Sequence, residues 1–228
     1  MKMTFTKVAL ATVIAGTTLF GGVASATTKD ETKATDRYTA LKTGMTIEQA
    51  AKVIYGKDYK KQLTKKNGST IFKKKENMTT TSQGRKVKGY SFLNDNTYLN
   101  NTALTFMTKK KESLYRLTNK GLSLTRYDSK SGYRESKMKL TKGSKIKLGM
   151  TVKQLDNILS GKGLGEWTSL YNVDWTSVQT KQELDLGLMV KGSMKTYVFP
   201  TANGKRKMVI LSYDIDKKQY IVDVETTL

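Results

Sequence analysis

Two short amphipathic segments of this chain begin with nearly the same residues. Residues 41–57 align with residues 146–162 at an offset of 105, and seven of the 17 aligned positions are identical. Within each segment the apolar residues follow the i, i+3, i+4, i+7 spacing of one helical face. These residues are Ile47, Ala50, Ala51 and Ile54 in the first segment, and Val152, Leu155, Ile158 and Leu159 in the second. The pattern predicts one short helix in each segment, the first over residues 47–55.

Both predicted helices carry start and stop signals. Thr46 with Gln49, and Thr151 with Gln154, fit the capping box, in which the side chains at N-cap and N3 each bond to the other residue's backbone amide. Met45 and Met150 precede the caps, where an apolar residue can pack against the helix as a hydrophobic staple. Gly44 and Gly149 predict turns with positive φ, and Gly56 and Gly161 predict the helix ends.

After each helix the pattern changes to short runs of aromatic and β-branched residues, which predict strands. The runs are residues 70–72, 87–92, 102–107 and 113–117, then 197–199, 207–213 and 219–225. Asn203-Gly204 predicts a tight hairpin and residues 216–218 a second turn. Aligning Leu104 with Ile210 gives an offset of 106, so helix and sheet recur in the same order at nearly the same spacing.

The sequence therefore predicts an α+β fold of two tandem units. Each unit is a short helical segment packed on a three- to four-stranded antiparallel sheet. The first unit covers residues 37–140 and the second residues 141–228, with the boundary in the polar stretch 129–145. Residues 27–36 are polar and without periodicity, and we expect them to form a flexible leader.

This arrangement resembles a known family. A Gly-Met-Thr-x-x-Gln helix start followed by an antiparallel sheet, given twice, is similar to the β-lactamase-inhibitor-protein-like fold and to the single-unit BamE-like assembly lipoproteins. It also resembles small secreted proteins of Gram-positive bacteria and their prophages. The resemblance implies two sheets side by side with a concave, protein-binding face. The chain lacks the cysteines of those families, so no inhibitory residue or lipid anchor can be carried over.

The first 26 residues predict a secretory signal peptide. Lys2 and Lys7 precede an apolar run over residues 8–20, and Ala24-Ser25-Ala26 is a small-residue cleavage site. The run is shorter than the ~20 residues of a membrane-spanning helix, although an uncleaved anchor is the alternative. We expect a secreted protein cleaved after Ala26, with no membrane-spanning segment after cleavage, and retention at the cell wall stays open.

Charge is distributed unevenly along the chain. Residues 27–140 hold 26 basic and 10 acidic residues, a net +16, whereas residues 141–228 hold 13 and 9, a net +4. A field of this sign attracts polyanions such as anionic wall polymers, and nucleic acid stays open as another ligand, although the surface can equally serve solubility alone. The candidate contacts are Lys65, Lys66, Lys73, Lys74, Lys75, Arg85 and Lys86.

The residue types exclude much catalytic chemistry. The chain has no His and no Cys, which removes Ser-His-Asp and Cys-His nucleophiles and nitrogen- or sulfur-ligated zinc. We predict no catalytic residue, no metal and no cofactor. The less favoured alternative is a wall hydrolase that uses carboxylates alone. Its candidate acids are Asp214, Asp216, Asp223 and Glu225.

The only two tryptophans and a tyrosine lie close together in sequence, as Trp167, Tyr171 and Trp175. Exposed aromatic residues are frequent binding hot spots, although burial in the core is the alternative. The sequence thus favours a secreted, non-catalytic binding module. It would hold a protein partner or an anionic wall polymer through the sheet face and the basic first unit.

Overall fold

The computed structural model describes residues 29–93, 100–126 and 129–228. The predicted signal peptide lies outside the described residues. The fold is α+β, as predicted. The helices are α1 (Lys29–Ala40), α2 (Ile47–Tyr55), α3 (Val152–Asp156) and α4 (Lys181–Asp185), and a 3₁₀ segment spans Gly56–Gln62. The strands are β1 (Leu63–Lys66), β2 (Ser69–Phe72), β3 (Met78–Ser82), β4 (Arg85–Leu93), β5 (Asn100–Met107), β6 (Arg116–Leu124), β7 (Ser169–Asp174), β8 (Lys191–Pro200), β9 (Arg206–Asp214) and β10 (Gln219–Thr227).

One antiparallel sheet of eight strands dominates the fold. Each strand from β3 to β10 pairs with its neighbour in sequence, and β1 and β2 form a separate hairpin. The sequence predicted a sheet of three or four strands in each unit. The structure instead joins all eight strands, because β6 and β7 pair from Asn119–Val173 to Ser123–Ser169.

The two predicted helix starts have the same geometry, and both capping boxes are confirmed. The Thr46 amide donates to Gln49 Oε1 at 2.8 Å, and the Gln49 amide donates to Thr46 Oγ1 at 3.2 Å. The bonds between Thr151 and Gln154 have the same two lengths. Each box thereby satisfies two amides that the first turn of a helix would otherwise leave unpaired.

Each helix start is also bonded to the outer edge of a strand. Gly44 N–H donates to the Leu117 carbonyl of β6 at 2.7 Å, and Leu117 N–H donates to the Met45 carbonyl at 2.7 Å. Gly149 and Met150 make the same pair of bonds to Val222 of β10, both at 2.8 Å. The predicted positive φ is confirmed at Gly44 (86°) and Gly149 (79°). The β-bulge that follows leaves Thr118 unpaired in β6 and Asp223 unpaired in β10.

The two helices differ in length. The first matches the prediction and ends at Gly56. The second was predicted to reach Gly161, but α3 ends at Asp156. The chain leaves the helix there because Leu159 forms a β-bridge with Leu140, and Ser160 N–H donates to the carbonyl of Lys139 at 2.8 Å.

The predicted flexible leader is also corrected. Its residues 29–36 belong to α1, which packs on β5 and β6. Glu31 is buried and its carboxylate lies 2.7 Å from the guanidinium of Arg126. Lys120 of β6 donates to the carbonyls of Tyr38 at 2.8 Å and Leu41 at 2.7 Å. Burial lowers the pKa of Lys120 to about 8. Polar composition alone predicts no structure for residues 29–36, because it does not show that Arg126 and Lys120 bind α1.

The helices and most of the core lie on one face of the sheet. The apolar side of α2 covers Tyr90, Phe106 and Leu117, and α3 covers Phe199 and Val222. A smaller cluster beneath α1 contains Tyr38, Leu122 and Leu124, and Trp167 packs against both this cluster and the one beneath α3. We call this side the helix face and the opposite side the open face.

The remaining strand predictions hold with one exception. The strand predicted to begin at Ser113 begins at Arg116, and Leu114 before it is exposed. Asn203-Gly204 lies in the β8–β9 hairpin turn, where Gly204 has φ 80°. Among the described residues no helix is long and apolar enough to cross a membrane.

Candidate binding surface

The open face carries two adjacent rows of uncharged residues, which we call the neutral strip. Cross-strand partners share a face of a sheet, so the register defines each row. The first row is Ser91, Ala103, Gly121, Tyr171, Met194, Ser212 and Ile221. The second row is Leu93, Asn101, Ser123, Ser169, Thr196, Ile210 and Val224. All are exposed or half-buried, and none is charged although charged residues make up 26% of the chain.

Two of the three predicted aromatic residues meet on this face. The Asn119 amide donates to the Tyr171 hydroxyl at 2.6 Å, and the Trp175 indole donates to the Asn119 carbonyl oxygen at 3.0 Å. The Tyr171 ring lies over Gly121, where an added Cβ would come within 3.5 Å of it. The bonds fix both rings while leaving them half-buried, so they can still contact a partner.

Trp167, the third predicted aromatic residue, is elsewhere. It packs on the helix face against Leu122 and Leu124, and the guanidinium carbon of Arg134 lies 5.9 Å from its ring centroid. The structure therefore assigns Trp167 to packing between the core clusters. The four-residue spacing does not reveal that Trp167 and Tyr171 lie on opposite faces of the sheet, because the chain bends between Trp167 and the start of β7.

The β7–β8 loop, residues 175–190, folds back across the open face. Val178 is fully buried against Val87 and Met107, which lie on the open face of β4 and β5. A third capping box, between Thr180 and Glu183, starts α4. The loop thereby covers one end of the open face and borders the neutral strip.

Arg85 anchors this loop. The sequence predicted it as a surface contact, but the structure buries it. Its side chain is 2% exposed, because it donates to the Val178 carbonyl at 3.2 Å and pairs with the Glu183 carboxylate. Lys110 also lies 3.0 Å from that carboxylate. The pKa of Glu183 is lowered to about 2, first by the hydrogen bond from the Thr180 amide and then by the bonds from Lys110 and Arg85. These partners are nearly a hundred residues from Arg85 in sequence, so a local pattern cannot indicate that its charge is buried.

The end of this loop is an apolar surface that sequence reasoning missed. Five large apolar residues within residues 184–190, which we call the apolar loop, are exposed. They are Leu184, Leu186, Leu188, Met189 and Val190. Leu186 is 67% exposed and Leu188 57%. Single exposed apolar residues are ordinary, but a contiguous group marks an interaction site. The signal in the sequence was an apolar run without any basic residue in a strongly basic chain.

The predicted lysines lie away from this surface. Five of them, which we call the basic hairpin group, are exposed on β1 and just after β2: Lys65, Lys66, Lys73, Lys74 and Lys75. Within the described residues none of the five forms an ion pair with a carboxylate. The hairpin packs on α2, on the helix face. The structure therefore does not join the predicted lysines and aromatic residues into one site.

A cleft of about 410 Å³ separates this hairpin from β3 and β4. Lys66, Lys86 and Lys88 line it together with Glu76 and Tyr115. Lys88 is buried and its ammonium lies 2.5 Å from the Glu76 carboxylate. This pair neutralises the inner end of the cleft, so the exposed Lys66 and Lys86 are its available cations.

Three of the four carboxylates of the hydrolase alternative have structural partners, and the fourth, Asp216, is exposed in the β9–β10 turn. Asp214 accepts from the Lys217 amide at 2.9 Å in the β9–β10 turn, and this bond, assisted by the Lys217 ammonium, lowers the pKa of Asp214. Asp223 accepts from Ser212 Oγ at 2.8 Å, and Glu225 pairs with Lys207. The described residues contain no group of three or more acidic residues placed to hold a metal ion.

Comparison with protein-family models, curated proteins and solved structures found no match for this chain. The resemblance to the β-lactamase-inhibitor-protein-like family therefore stays a prediction from the sequence.

Proposed function

We propose that this protein is an exported, non-catalytic binding module that holds a protein partner on its open face. One observation carries the proposal: a neutral, half-exposed strip borders an exposed apolar loop in a chain of net charge +22. No residue of the two rows is charged, although the carboxylate of Asp223, which accepts from Ser212 Oγ, lies beside them. Depletion of charge with exposed aromatic and apolar groups is typical of the centre of protein interfaces.

We further propose that the fold consists of two tandem units, α2 with β3–β6 and α3 with β7–β10. Leu117 and Val222, each bonded to a helix start, are 105 residues apart, as are the bulge residues Thr118 and Asp223. A Lys-x-Tyr-x-Phe pattern recurs from Lys88 in β4 and from Lys195 in β8, at an offset of 107.

This correspondence also revises the alignment of β5 with β9. An offset of 106 sets Leu104, on the helix face, against Ile210, on the open face. Pairing within the sheet places Phe106 opposite Leu117, and Leu211 opposite Val222. The offset there is therefore 105, which keeps buried residues on the same face. Lys88 and Phe106 are 18 positions apart, whereas their counterparts Lys195 and Leu211 are 16 apart, and this difference of two accounts for the change from 107 to 105.

The β7–β8 loop is the main difference between the proposed units. β3 and β4 are joined by a two-residue turn, whereas residues 175–190 connect β7 and β8. Because this insertion packs on β4 and β5, it links the second unit to the first and presents the apolar loop beside the shared strip. An insertion on one face of a repeat is a common location for a binding surface.

The protein-partner proposal can be tested by site-specific photo-crosslinking. A photoreactive residue at Leu188 or Ser169 should label the same protein in a cell-surface extract, whereas one at Lys153, exposed on α3, should not. Leu186→Asp combined with Leu188→Asp should abolish capture from Ser169. Replacing the three lysines of residues 73–75 with glutamine should leave it intact.

Binding of an anionic wall polymer is the second candidate, favoured by the basic hairpin group, whose five exposed lysines form no ion pair with a carboxylate of the described residues. In that case the purified protein should sediment with purified cell walls only when the anionic polymer is present, and binding should fall steeply with salt. The glutamine variant of residues 73–75 should then lose binding while the Leu186→Asp, Leu188→Asp variant keeps it. That result would contradict the protein-partner proposal. Nucleic acid would use the same lysines and give the same salt dependence.

A further inference from the structure

The two edge strands of the large sheet, β3 and β10, have outer edges that are only partly occupied. On β10, Gly149 and Met150 bond to Val222, and Thr151 forms a bridge with Ile221. Beyond the bulge at Asp223, no strand of the described residues pairs with the outer side of residues 224–227. β3 has β4 on one side and, among the described strands, no partner on the other.

In the interior strand β6, the edge that corresponds to the free edge of β10 is occupied by β7. Its residue Leu117 is held by Gly44 and Met45, as Val222 of β10 is held by Gly149 and Met150. Immediately after the bulge, residues 119–123 of β6 pair with β7. Adding the same offset of 105 to these five positions gives residues 224–228. The unoccupied edge of β10 is therefore the counterpart of the edge that receives β7.

The free edge of β3 is likewise the counterpart of the β7 edge that meets β6. Thr79 is the partner of Lys88, and Leu170 is the partner of Lys195, which occupies the same position in the repeated pattern. All five residues of β3 are exposed, and none is charged or proline. Charged residues and proline are the usual devices that keep edge strands apart, and β3 lacks both.

We propose that β10 of one molecule pairs antiparallel with β3 of a second copy, repeating between molecules the β6–β7 junction found within the chain. The inference rests on the correspondence of the two units stated above. Translating the β6–β7 register pairs Val224 with Ser82, Thr226 with Thr80, and Leu228 with Met78. The two surfaces differ, so the contact is heterologous and each added copy leaves the same two edges free.

The salt dependence of this association distinguishes it from polyanion binding. Copies of the exported chain, residues 27–228, each carry a net charge of +20 and repel one another, and salt screens that repulsion. Self-association should therefore strengthen as salt is raised, whereas binding to a polyanion should weaken. The contact is a single short strand pair, so we expect association at high protein concentration only.

The test uses the absence of cysteine from the chain, which removes background crosslinking. Thr80→Cys and Thr226→Cys proteins are mixed under mild oxidation and analysed without reductant. Directly opposed positions in a strand pair approach closely enough for a disulfide. We expect several-fold more heterodimer than from Thr80→Cys mixed with Gln182→Cys, an exposed control position on α4. The double variant Thr80→Cys, Thr226→Cys should give a ladder of dimers, trimers and larger species.

Three results would overturn the proposal. The mixed pair could crosslink no better than the control pair, as expected if another segment of the chain covers either edge. Thr80→Cys alone could form as much dimer as the mixture, which would indicate that β3 pairs with β3. The double variant could stop at the dimer, which would show a closed contact. Circular dichroism and thermal unfolding of each variant verify that the fold is retained.

Discussion

Removing the N-cap hydroxyl from either capping box should cost the same free energy. Thr46→Ala and Thr151→Ala each delete one acceptor, which lies 3.2 Å from the N3 amide in both boxes. The second bond of the box uses the threonine backbone amide and survives. Both threonines are half-buried, so water can reach the freed amide. We expect a loss of about 1 kcal/mol for each variant.

Urea unfolding monitored by circular dichroism and by tryptophan fluorescence measures this loss. A cost of 1 kcal/mol corresponds to a fall of about 2–4 °C in Tm for a chain of this size. Because β6 and β7 join the two halves, we expect one transition that both variants shift equally. The double variant should lose about 2 kcal/mol, since the two sites share no partner. Lys153→Ala, in the first turn of α3 but outside the box, should change stability by less than about 0.5 kcal/mol.

Two separate transitions, each shifted by only one of the variants, would refute the reasoning. That outcome would mean that the continuous sheet does not couple the halves. A loss from Thr151→Ala well below that from Thr46→Ala would show that the five-residue α3 does not depend on its cap. Equal geometry would then not imply equal energy.

Three further predictions concern packing and charge. Val178→Ala removes two fully buried methyl groups, so we expect a loss of about 2 kcal/mol and faster amide hydrogen exchange in residues 175–190; unchanged exchange would contradict the docking of this loop. Phe72 is 1% exposed and contacts four other aromatic rings, so Phe72→Ala should lower the free energy of unfolding, measured in urea, by about 3–5 kcal/mol. Leu114→Ala, at an exposed position, should change it little. The Lys88 ammonium lowers the pKa of Glu76 from 4.5 to about 2, so the folded state binds this proton more weakly and stability is lost as pH falls through that interval. Glu76→Gln should flatten this part of the pH dependence, and an unchanged slope between pH 5 and about 2 would exclude the pair as its source.

The candidate surface could be predicted only in part. Tyr171 and Trp175 were identified by residue type, and they do meet on the open face through Asn119. Residue type cannot decide which side of a sheet a side chain occupies, so Trp167 was grouped with them wrongly. The sequence does not show that Arg85 is buried, because its partner Glu183 is remote in sequence. The apolar loop was missed because helical and strand periodicities find buried faces, and they do not identify exposed leucines.

The sequence by itself determined the local structure at the helix starts and in most strands. Capping boxes, positive-φ glycines and hairpin turns depend on residues within a few positions of one another, so residues 44–49 and 149–154 adopt the same local structure. Tertiary structure decided that the eight strands form one sheet, that α1 forms around buried Glu31, and that residues 175–190 return to the open face. These features depend on contacts between positions up to about a hundred residues apart. A local pattern carries no information on such pairings, because they are selected by the burial and charge pairing that only the assembled chain provides.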